Sequence, residues 1–569
     1  MTPQLGDTIA AIATARGAGA IGIVRVSGPD AFEIARRVFV GKREFDKIAS
    51  HSVAYGRVCP PAAPPAPGIH AARMAAGEAV DEALMLKMRA PRTYTREDVV
   101  EFHCHAGLGA LTSVLRAVLH AGARPAEPGE FTKRAFLNGR IDLAQAEAVM
   151  DLVSAAGEAG ARAAMRQLEG ALSARIRCVR GALLDVSAAI GAQLDYPEED
   201  ISVSDASGGF DAESALRGAE RDLAELLAGF GRGRLAREGA TCVIVGRPNA
   251  GKSTLLNLLL CDDRAIVTDT PGTTRDVIAE CRDVCGYAVR FLDTAGIREP
   301  ADQLERAGMD KAGSAIRDAD FVVWLLDSAA GVGEEDAAVA GLLRGKRWVA
   351  IVANKADLSG DAAADSAARD ALGLLGGPGA QPAHAAVVSP AALGAGGRGL
   401  AAVEAEIEKM LRLAAGGGDP AGGAVDGSCA VDGSCAMDGS GAMDGSCAED
   451  VYGDCGVGGV YGADGVYGVG GKNASAGSVS VSGSVSGSGL NADANSRADA
   501  LLTNERHRAL ADAALASVRA ALSALRDGFP PDIAALEADA ALSALGEITG
   551  ESYAGDVIDR IFSTFCLGK

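Results

Sequence analysis

The stretch Gly246-Arg247-Pro248-Asn249-Ala250-Gly251-Lys252-Ser253-Thr254 leaves few folds open to this chain. It reads G-x-x-x-x-G-K-S, a loop whose backbone N–H groups converge on phosphate oxygens when a strand precedes it and a helix follows. Residues 241–245 are a short apolar, β-branched run predicted as a buried strand, and 255–259 continue as a helix. The helix N-terminus adds partial positive charge at the loop. Asn249, Ala250, Gly251, Lys252, Ser253 and Thr254 are thus candidate nucleotide-binding residues. Lys252 is expected on the β- and γ-phosphates, and the Ser253 hydroxyl on Mg²⁺.

Four downstream segments agree with a nucleotide site. Asp293-Thr294-Ala295-Gly296 follows a predicted strand over 288–292. Its aspartate is placed to reach Mg²⁺ through water, and the Gly296 N–H to sense a γ-phosphate. Thr273 and Thr274, in Pro271-Gly272-Thr273-Thr274-Arg275-Asp276, lie in the interval of a switch that closes on Mg²⁺. Asn354-Lys355-Ala356-Asp357 follows a predicted strand over 348–352. The Asp357 carboxylate can accept from N1–H and N2–H of guanine, whereas adenine leaves it unpaired, a loss that reaches roughly 10⁴-fold. Ser389, after Val387-Val388, stands where a last base-contacting loop belongs. The expected nucleotide is GTP. Where the Ras-like scheme has a glutamine to orient water, this chain has Ile297, and an apolar side chain cannot do so. A polar group must come from elsewhere, with Arg298, Glu299, Asp302 and Glu305 nearby.

Around this segment, residues 1–138 alternate strand and helix patterns: strands at 20–26, 82–88 and 99–103, helices at 30–39 and 112–120. An alanine-rich helical run opens at 141 and continues to about 194, with Asp142 and Gln145 spaced as a capping box. Helical periodicity returns over 212–227, 504–525 and 532–546. Between 414 and 497 the composition collapses: Val425-Asp426-Gly427-Ser428-Cys429-Ala430 recurs with a period of six to Ala448, followed by Val-Tyr-Gly and Ser/Gly/Val runs. With no histidine and no C-x-x-C there, and too few repeats to bury a core, a flexible insertion is expected rather than a metal site or solenoid. Glycine is correspondingly high, 74 of 569 residues. His103-Cys104-His105 resembles a metal triplet, but successive strand residues point to opposite faces, so it is read as core and edge.

The net charge of −21 argues against a broad nucleic-acid-gripping face, so any RNA contact must be local or supplied by a partner. No run approaches the roughly 18 apolar residues of a membrane span; the strongest candidate, 321–326, stops at Asp327. The N-terminus lacks a basic segment followed by an apolar run, so a cytoplasmic protein with twelve reduced cysteines is expected.

Gly-Arg-Pro-Asn-Ala-Gly-Lys-Ser at 246–253, Gly-Thr-Thr-Arg-Asp at 272–276, Gly-Glu-Phe-Thr-Lys-Arg-Ala-Phe-Leu-Asn at 129–138, Asp-Leu-Ala-Gln-Ala-Glu-Ala at 142–148 and the terminal Cys-Leu-Gly-Lys closely resemble the MnmE (TrmE) family of tRNA-modification GTPases. The resemblance spans nearly the whole chain except about 414–497. It implies a multidomain α/β plus all-α protein. Residues 1–138 would be an α/β tetrahydrofolate-binding domain and 237–413 an inserted Ras-like P-loop G domain with a mixed, mostly parallel sheet. Residues 139–236 and 498–569 would be the two halves of a helical domain, and 414–497 a low-complexity insertion. The family acts with the flavoprotein MnmG, as a heterotetramer built on a homodimer, to place an aminomethyl-type group on C5 of the wobble uridine of certain tRNAs. The anticodon region would be presented mainly by the partner, and no membrane is involved.

Residue by residue, the resemblance implies K⁺ held by Asn249, Thr268, Thr270 and Thr273, and Mg²⁺ by Ser253 and Thr274. Asp269, Pro271, Gly272, Thr294, Ala295 and Lys355 join the nucleotide site. Glu305, twelve residues after Asp293, matches the catalytic glutamate and fills the gap left by Ile297. A folate donor, as a 5-formyl or 5,10-methylene tetrahydrofolate derivative, would be bound by Arg25, Glu101, Arg140 and Lys569; on the residues alone, Arg25 and Glu101 also read as an ion pair. Cys566 matches a family cysteine that matters for modification. Leu-Gly-Lys after it fits a prenylation box poorly, and a buried thiol is the plainer alternative. The competing functional reading is a ribosome-assembly or RNA-binding GTPase switch without modification chemistry, which calls for a basic RNA-binding appendage that the composition lacks. A transporter with a GTPase head lacks a spanning segment.

Overall fold

The computed structural model describes residues 6–15, 19–61, 78–195, 210–260, 265–266, 280–293, 313–376, 384–388, 398–415, 500–552, 555–563, 565 and 568. Apart from its first two residues, the expected insertion over 414–497 lies outside them.

The N-terminal part carries β1 (Ile9–Ile12), β2 (Ile21–Ser27), α1 (Ala31–Val38), β3 (Phe39–Gly41), β4 (Ser52–Val58), β5 (Asp81–Met88), β6 (Val99–His105), α2 (Leu108–His120) and β7 (Arg124–Pro125), then α3 (Glu130–Leu137). The strands form one sheet in the order β3-β4-β5-β6-β2-β1-β7, antiparallel except where β1 meets β7. Val24, Val26, Met85, Val100 and Phe102 enter a core with Ile34 and Val38 of α1 and Leu111 and Val114 of α2. The expected strands and helices are present; β1, β3, β4 and β7 add to the strands. In β4 burial alternates throughout, and Gly56 takes an inward position where a Cβ would lie 2.5 Å from the Val40 carbonyl oxygen. Cys104 is buried in this core, while His105 on one side of it bonds Asp81 at 2.7 Å and His103 on the other lies 3.3 Å from Glu101. No metal-binding cluster occurs among the described residues.

The motif at 129–138 has a structural explanation. Gly129 has φ +66°, and a Cβ there would lie 2.6 Å from the Phe562 carbonyl oxygen. Arg134 is buried and pairs with Asp7 at 2.5 Å, Glu130 at 3.0 Å and Glu97 at 3.1 Å. Arg124 extends the network to Asp7 and Glu130, so α3 is tied to the start of the chain by charges that compensate one another.

Next come α4 (Leu143–Ser154), α5 (Glu158–Leu168), α6 (Ala171–Asp195), α7 (Ala212–Ala228) and α8 (Phe230–Glu238). The Asp142–Gln145 capping box opens α4 as expected. The continuous run expected up to residue 194 is three helices. It breaks at Gly157, whose extended backbone packs 2.6 Å (Cβ position) from the Gly286 carbonyl oxygen, and at Gly170, with φ +92°.

The second sheet contains β8 (Ala240–Val245), β9 (Ala265–Ile266), β10 (Glu280–Val284), β11 (Tyr287–Asp293), β12 (Phe321–Asp327), β13 (Trp348–Asn354) and β14 (His384–Val388), ordered β14-β13-β12-β8-β11-β10-β9. It is parallel from β14 to β11 and antiparallel beyond. Its helices include α9 (Lys252–Leu260), α10 (Glu334–Leu343), α11 (Asp361–Leu375) and α12 (Arg398–Ala414). Apolar clusters cover both faces, which is why β12 reads as an unbroken apolar run. Among the described residues no helix is long and apolar enough to cross a membrane.

The chain then returns to the helices as α13 (Glu505–Arg526), α14 (Pro531–Thr549) and α15 (Gly555–Ser563). Leu172, Ile176, Leu183 and Ile190 of α6 share one core with Val518, Leu522, Leu545 and Ile548, joining segments that flank the nucleotide domain in sequence.

Across that junction Glu147 pairs with His507 Nε2 at 2.6 Å and Arg506 Nη2 at 3.0 Å. Burial disfavours its charge, but His507 and Arg506 outweigh burial and hold the carboxyl at about 2 instead of 4.5. A depressed folded-state pKa stabilises above the unfolded value, and the gain is lost as pH falls from about 4.5 towards 2. Glu147→Gln should therefore cost about 3 kcal/mol at neutral pH. In urea unfolding followed by helical circular dichroism, the deficit should shrink through that acid window; equal stability at pH 7 would refute the assignment.

Candidate nucleotide site and N-terminal pocket

The phosphate loop leaves β8, a strand flanked by parallel neighbours β11 and β12, so it opens at the carboxyl edge of the sheet. Its shape rests on three left-handed positions. At Gly246 (φ +150°) a Cβ would lie 2.2 Å from the Leu325 carbonyl oxygen, and at Gly251 (φ +102°) it would lie 2.4 Å from Asn354 Nδ2. Asn249 has φ 63° and is exposed; asparagine tolerates this conformation better than most residues. Lys252 begins α9 and donates to the carbonyl oxygens of Gly246 at 2.9 Å and Arg247 at 2.8 Å, so its ammonium is held across the loop. Ser253 and Thr254 are exposed in the first turn of that helix, and Ala250 is buried.

The loop is braced from behind. Asn354 is buried at the end of β13, and its Nδ2 donates to the Ala250 carbonyl oxygen at 2.8 Å. Its own carbonyl oxygen accepts from Ser328 Oγ at 2.6 Å. Lys355 has φ 62° and pairs with Asp327 at 2.7 Å. Burial works against the Asp327 carboxylate, but Lys355 and the N–H groups of Ala329 and Ala330 outweigh it and lower its pKa. Asp357 is exposed in the single helical turn that follows. Arg247 is anchored to fully buried Asp336 at 2.9 Å and to the Gly331 carbonyl. The bracing by Asn354, Arg247, Asp336, Asp327 and Ser328 was not anticipated; the only sequence signal for it was that Arg247 and Asn354 lie within the motifs.

Asp293 is described through its backbone, as the last residue of β11 paired with Ile244 of β8, which brings it to the phosphate-loop edge. Thr268, Asp269, Thr270, Pro271, Gly272, Thr273, Thr274, Thr294, Ala295, Gly296, Ile297, Glu305 and Ser389 lie outside the described residues, as do Cys566 and Lys569.

In the N-terminal sheet Arg25 of β2 stands directly opposite Glu101 of β6, and the two pair at 2.7 Å. Their side chains are only 22% and 12% exposed, so the pair is not a solvated surface bridge. The Arg25 guanidinium lies 5.8 Å from the Tyr94 ring and 5.6 Å from that of Phe131. The exposed Arg140 stacks on the same Tyr94 ring at 4.8 Å. Arg25 Nη1 also lies 3.5 Å from the carbonyl oxygen of Gly568, where a Cβ would sit 2.1 Å from the Ile12 carbonyl oxygen. The tail reaches this place because Phe562 and Phe565 bury against Ala135, Ile141 and Leu143. Arg25, Glu101 and Arg140 thus gather around Tyr94, with Phe565 and Gly568 of the tail nearby. Tyr94 itself carried no sequence signal.

The family described as GTP-binding protein TrmE N-terminus matches residues 8–140. That described as MnmE helical domain matches 143–425 and 483–566. The tRNA modification GTPase MnmE of Acetivibrio thermocellus is 36% identical over 563 residues, 99% of each chain. That of Heliobacterium modesticaldum is 38% identical over 568 residues, 100% of each. Among solved structures, Era of Aquifex aeolicus bound to GDP and AlF4⁻ is 28% identical, covering 30% of this chain and 56% of that one at a TM-score of 0.22.

The loop geometry makes a direct prediction. Gly251→Ala must displace Asn354, and Asn354→Ala removes the bond to Ala250. Each should weaken binding of a fluorescent GTP analogue at least tenfold, the loss of one buried hydrogen bond or more, with circular dichroism unchanged. Unaltered affinity in both would show that the brace does not shape the loop.

Proposed function

Since the chain belongs to the MnmE family of tRNA modification GTPases, we propose that it hydrolyses GTP to time a folate-dependent change at C5 of a tRNA wobble uridine. It is a GTP hydrolase of tRNA modification. The observation that carries the GTP site is the glycine-shaped loop at the end of β8, braced by Asn354, with Asp357 exposed on the turn that follows the same strand. Phosphates entering this loop would draw Lys252 off the Gly246 and Arg247 carbonyls. Asp357 would accept from the guanine edge, and Lys355, Ser389 and the 293–296 segment would complete the pocket.

Mg²⁺ at Ser253 and Thr274, and K⁺ at Asn249, Thr268, Thr270 and Thr273, would neutralise charge developing on the phosphates. Exposed Asn249, held with φ 63° on the loop, fits that use because its amide oxygen is not consumed in the core. Glu305 would orient the attacking water in place of the glutamine that Ile297 replaces. Arg25, Glu101, Arg140 and Lys569 would hold the tetrahydrofolate derivative: a carboxylate suits the donor edge of a pterin, and cations suit its glutamyl end. The partially buried Arg25–Glu101 pair supports this, since Arg25, whose guanidinium lies over two aromatic rings, already orients the carboxylate. Cys566 would act next to this pocket, on a tail anchored by Phe562 and Phe565. A flavoprotein of the MnmG type would supply redox chemistry and present the anticodon, and pairing of two G domains would complete the K⁺ site. On this reading 1–138, 139–236 with 498–569, and 237–413 are the folate, helical and GTPase domains.

Two measurements test the reading. Nucleosides from tRNA of cells lacking this protein should lose the C5-substituted wobble uridine; an unchanged profile would favour a GTPase switch without modification chemistry. GTP turnover should rise at least tenfold in K⁺ over Na⁺, and Asn249→Ala should abolish that difference. Equal rates in both salts would sink the cation assignment.

A further inference from the structure

A groove of about 490 Å³ lies beside Tyr94, between the 89–96 loop and the end of α3. Its walls bring together His51, Arg92, Arg96 and Arg140, and among the described residues no carboxylate lines it. The arginine heads are held by neutral acceptors: Arg96 Nη1 donates to the Asn138 carbonyl oxygen at 2.9 Å, and Arg140 Nη1 to that of Tyr94 at 3.0 Å. His51 Nε2 lies 2.6 Å from the Arg92 carbonyl oxygen, which fixes the loop carrying that arginine. Nearby Arg25, Arg124 and Arg134 are all paired with carboxylates. Three arginines with no carboxylate among the described lining residues make this groove attractive to an anion.

We propose that this groove binds the poly-γ-glutamyl tail of a folate, a chain of regularly spaced carboxylates. The inference rests on the folate reading above and extends it to Arg92, Arg96 and His51. Tyr94 provides the continuity: its ring carries both the Arg25 guanidinium, beside Glu101, and that of Arg140, on the groove wall. A ligand seated at Arg25 and Glu101 that extends past Tyr94 reaches Arg140, on a wall shared with Arg92 and Arg96. Guanidinium groups match carboxylates in planar geometry. A short oligoanion feels only this local field, because charges beyond about 8 Å are screened at physiological salt. The groove, about 490 Å³ and continuous with the Arg25–Glu101 pair through Tyr94, suits a short oligoanion extending from that pair better than a folded nucleic acid, so the observations favour the tail.

The test is calorimetric titration of the full-length protein with 5-formyltetrahydrofolate carrying one or four glutamyl residues. Two or three added surface pairings should tighten the four-glutamyl compound about tenfold, and the advantage should fall as salt rises. In the double variant Arg92→Gln, Arg96→Asn the advantage should vanish, while the single-glutamyl compound keeps its affinity within about twofold. Asparagine is chosen because Arg96 has φ 59° and asparagine tolerates that backbone. Equal affinity of the two compounds for the unaltered protein would overturn the proposal and leave the folate reading intact. Failure of both to bind would overturn the folate reading, and this one with it. A double variant that loses tRNA affinity but keeps the glutamyl advantage would assign the groove to RNA phosphates instead.

Discussion

The core shared by α6, α7, α13 and α14 is the constraint on which the rest of the molecule depends. Its alanine-rich helices cannot bury their apolar faces alone, and their partners lie beyond the whole nucleotide domain in sequence. Closing so long a connection costs little more than closing a moderate one, because loop entropy grows only logarithmically with length. That scaling is why a complete domain and a repetitive segment can interrupt a helical bundle without abolishing it. Once the bundle closes, α15 lies against α3 and α4, and Phe562 with Phe565 beyond it anchors a tail whose Gly568 lies beside β1 and β2. The N-terminal pocket is therefore completed by the opposite end of the chain.

The nucleotide loop depends on a different kind of constraint, close backbone approach. At Gly246 and Gly251 the nearest atoms are a carbonyl oxygen of β12 and the side-chain amide of β13, so the loop is moulded against the two strands that follow it in the sheet. Asn354 thereby serves two ends of the site: its amide holds the phosphate loop, and its backbone continues into the turn that presents Asp357.

Much of this was legible in the sequence where the cause is local. The apolar runs of β8, β12 and β13 announce a covered parallel sheet, and the Asp142–Gln145 spacing announces a helix start. What stayed hidden has distant causes. Nothing near Gly157 predicts a helix break, because the carbonyl it packs against belongs to Gly286. Arg25 and Glu101 could be read as an ion pair, but the strand register that sets them opposite, and the tail that covers them, arise only in three dimensions. Tyr94 sits in a loop with no periodicity, so its place between two arginines left no trace in the pattern. For the switch segments, motif spacing remains the basis of the assignments, since those residues lie outside the described part of the chain.

A single helix face joins these parts. Glu147 and Asp151 are one turn apart on α4, where like charges repel. Each is matched to a different region: Glu147 to Arg506 and His507 of the returning half, Asp151 to Arg237 at the end of α8 at 2.8 Å. Burial raises the Asp151 pKa and the neighbouring Glu147 charge adds to this, while Arg237 opposes both. Separating α8 from α4 would leave that buried carboxylate unpaired, which costs far more than breaking a surface bridge. Two residues after Arg237, Gly239 turns the chain into β8 with φ +76°. α8 is equally tied to the nucleotide domain, because Arg234 pairs with Asp320 at 2.6 Å and Leu235 enters the core beneath β8, so a shift of that domain against the helices has to break one set of these contacts or the other.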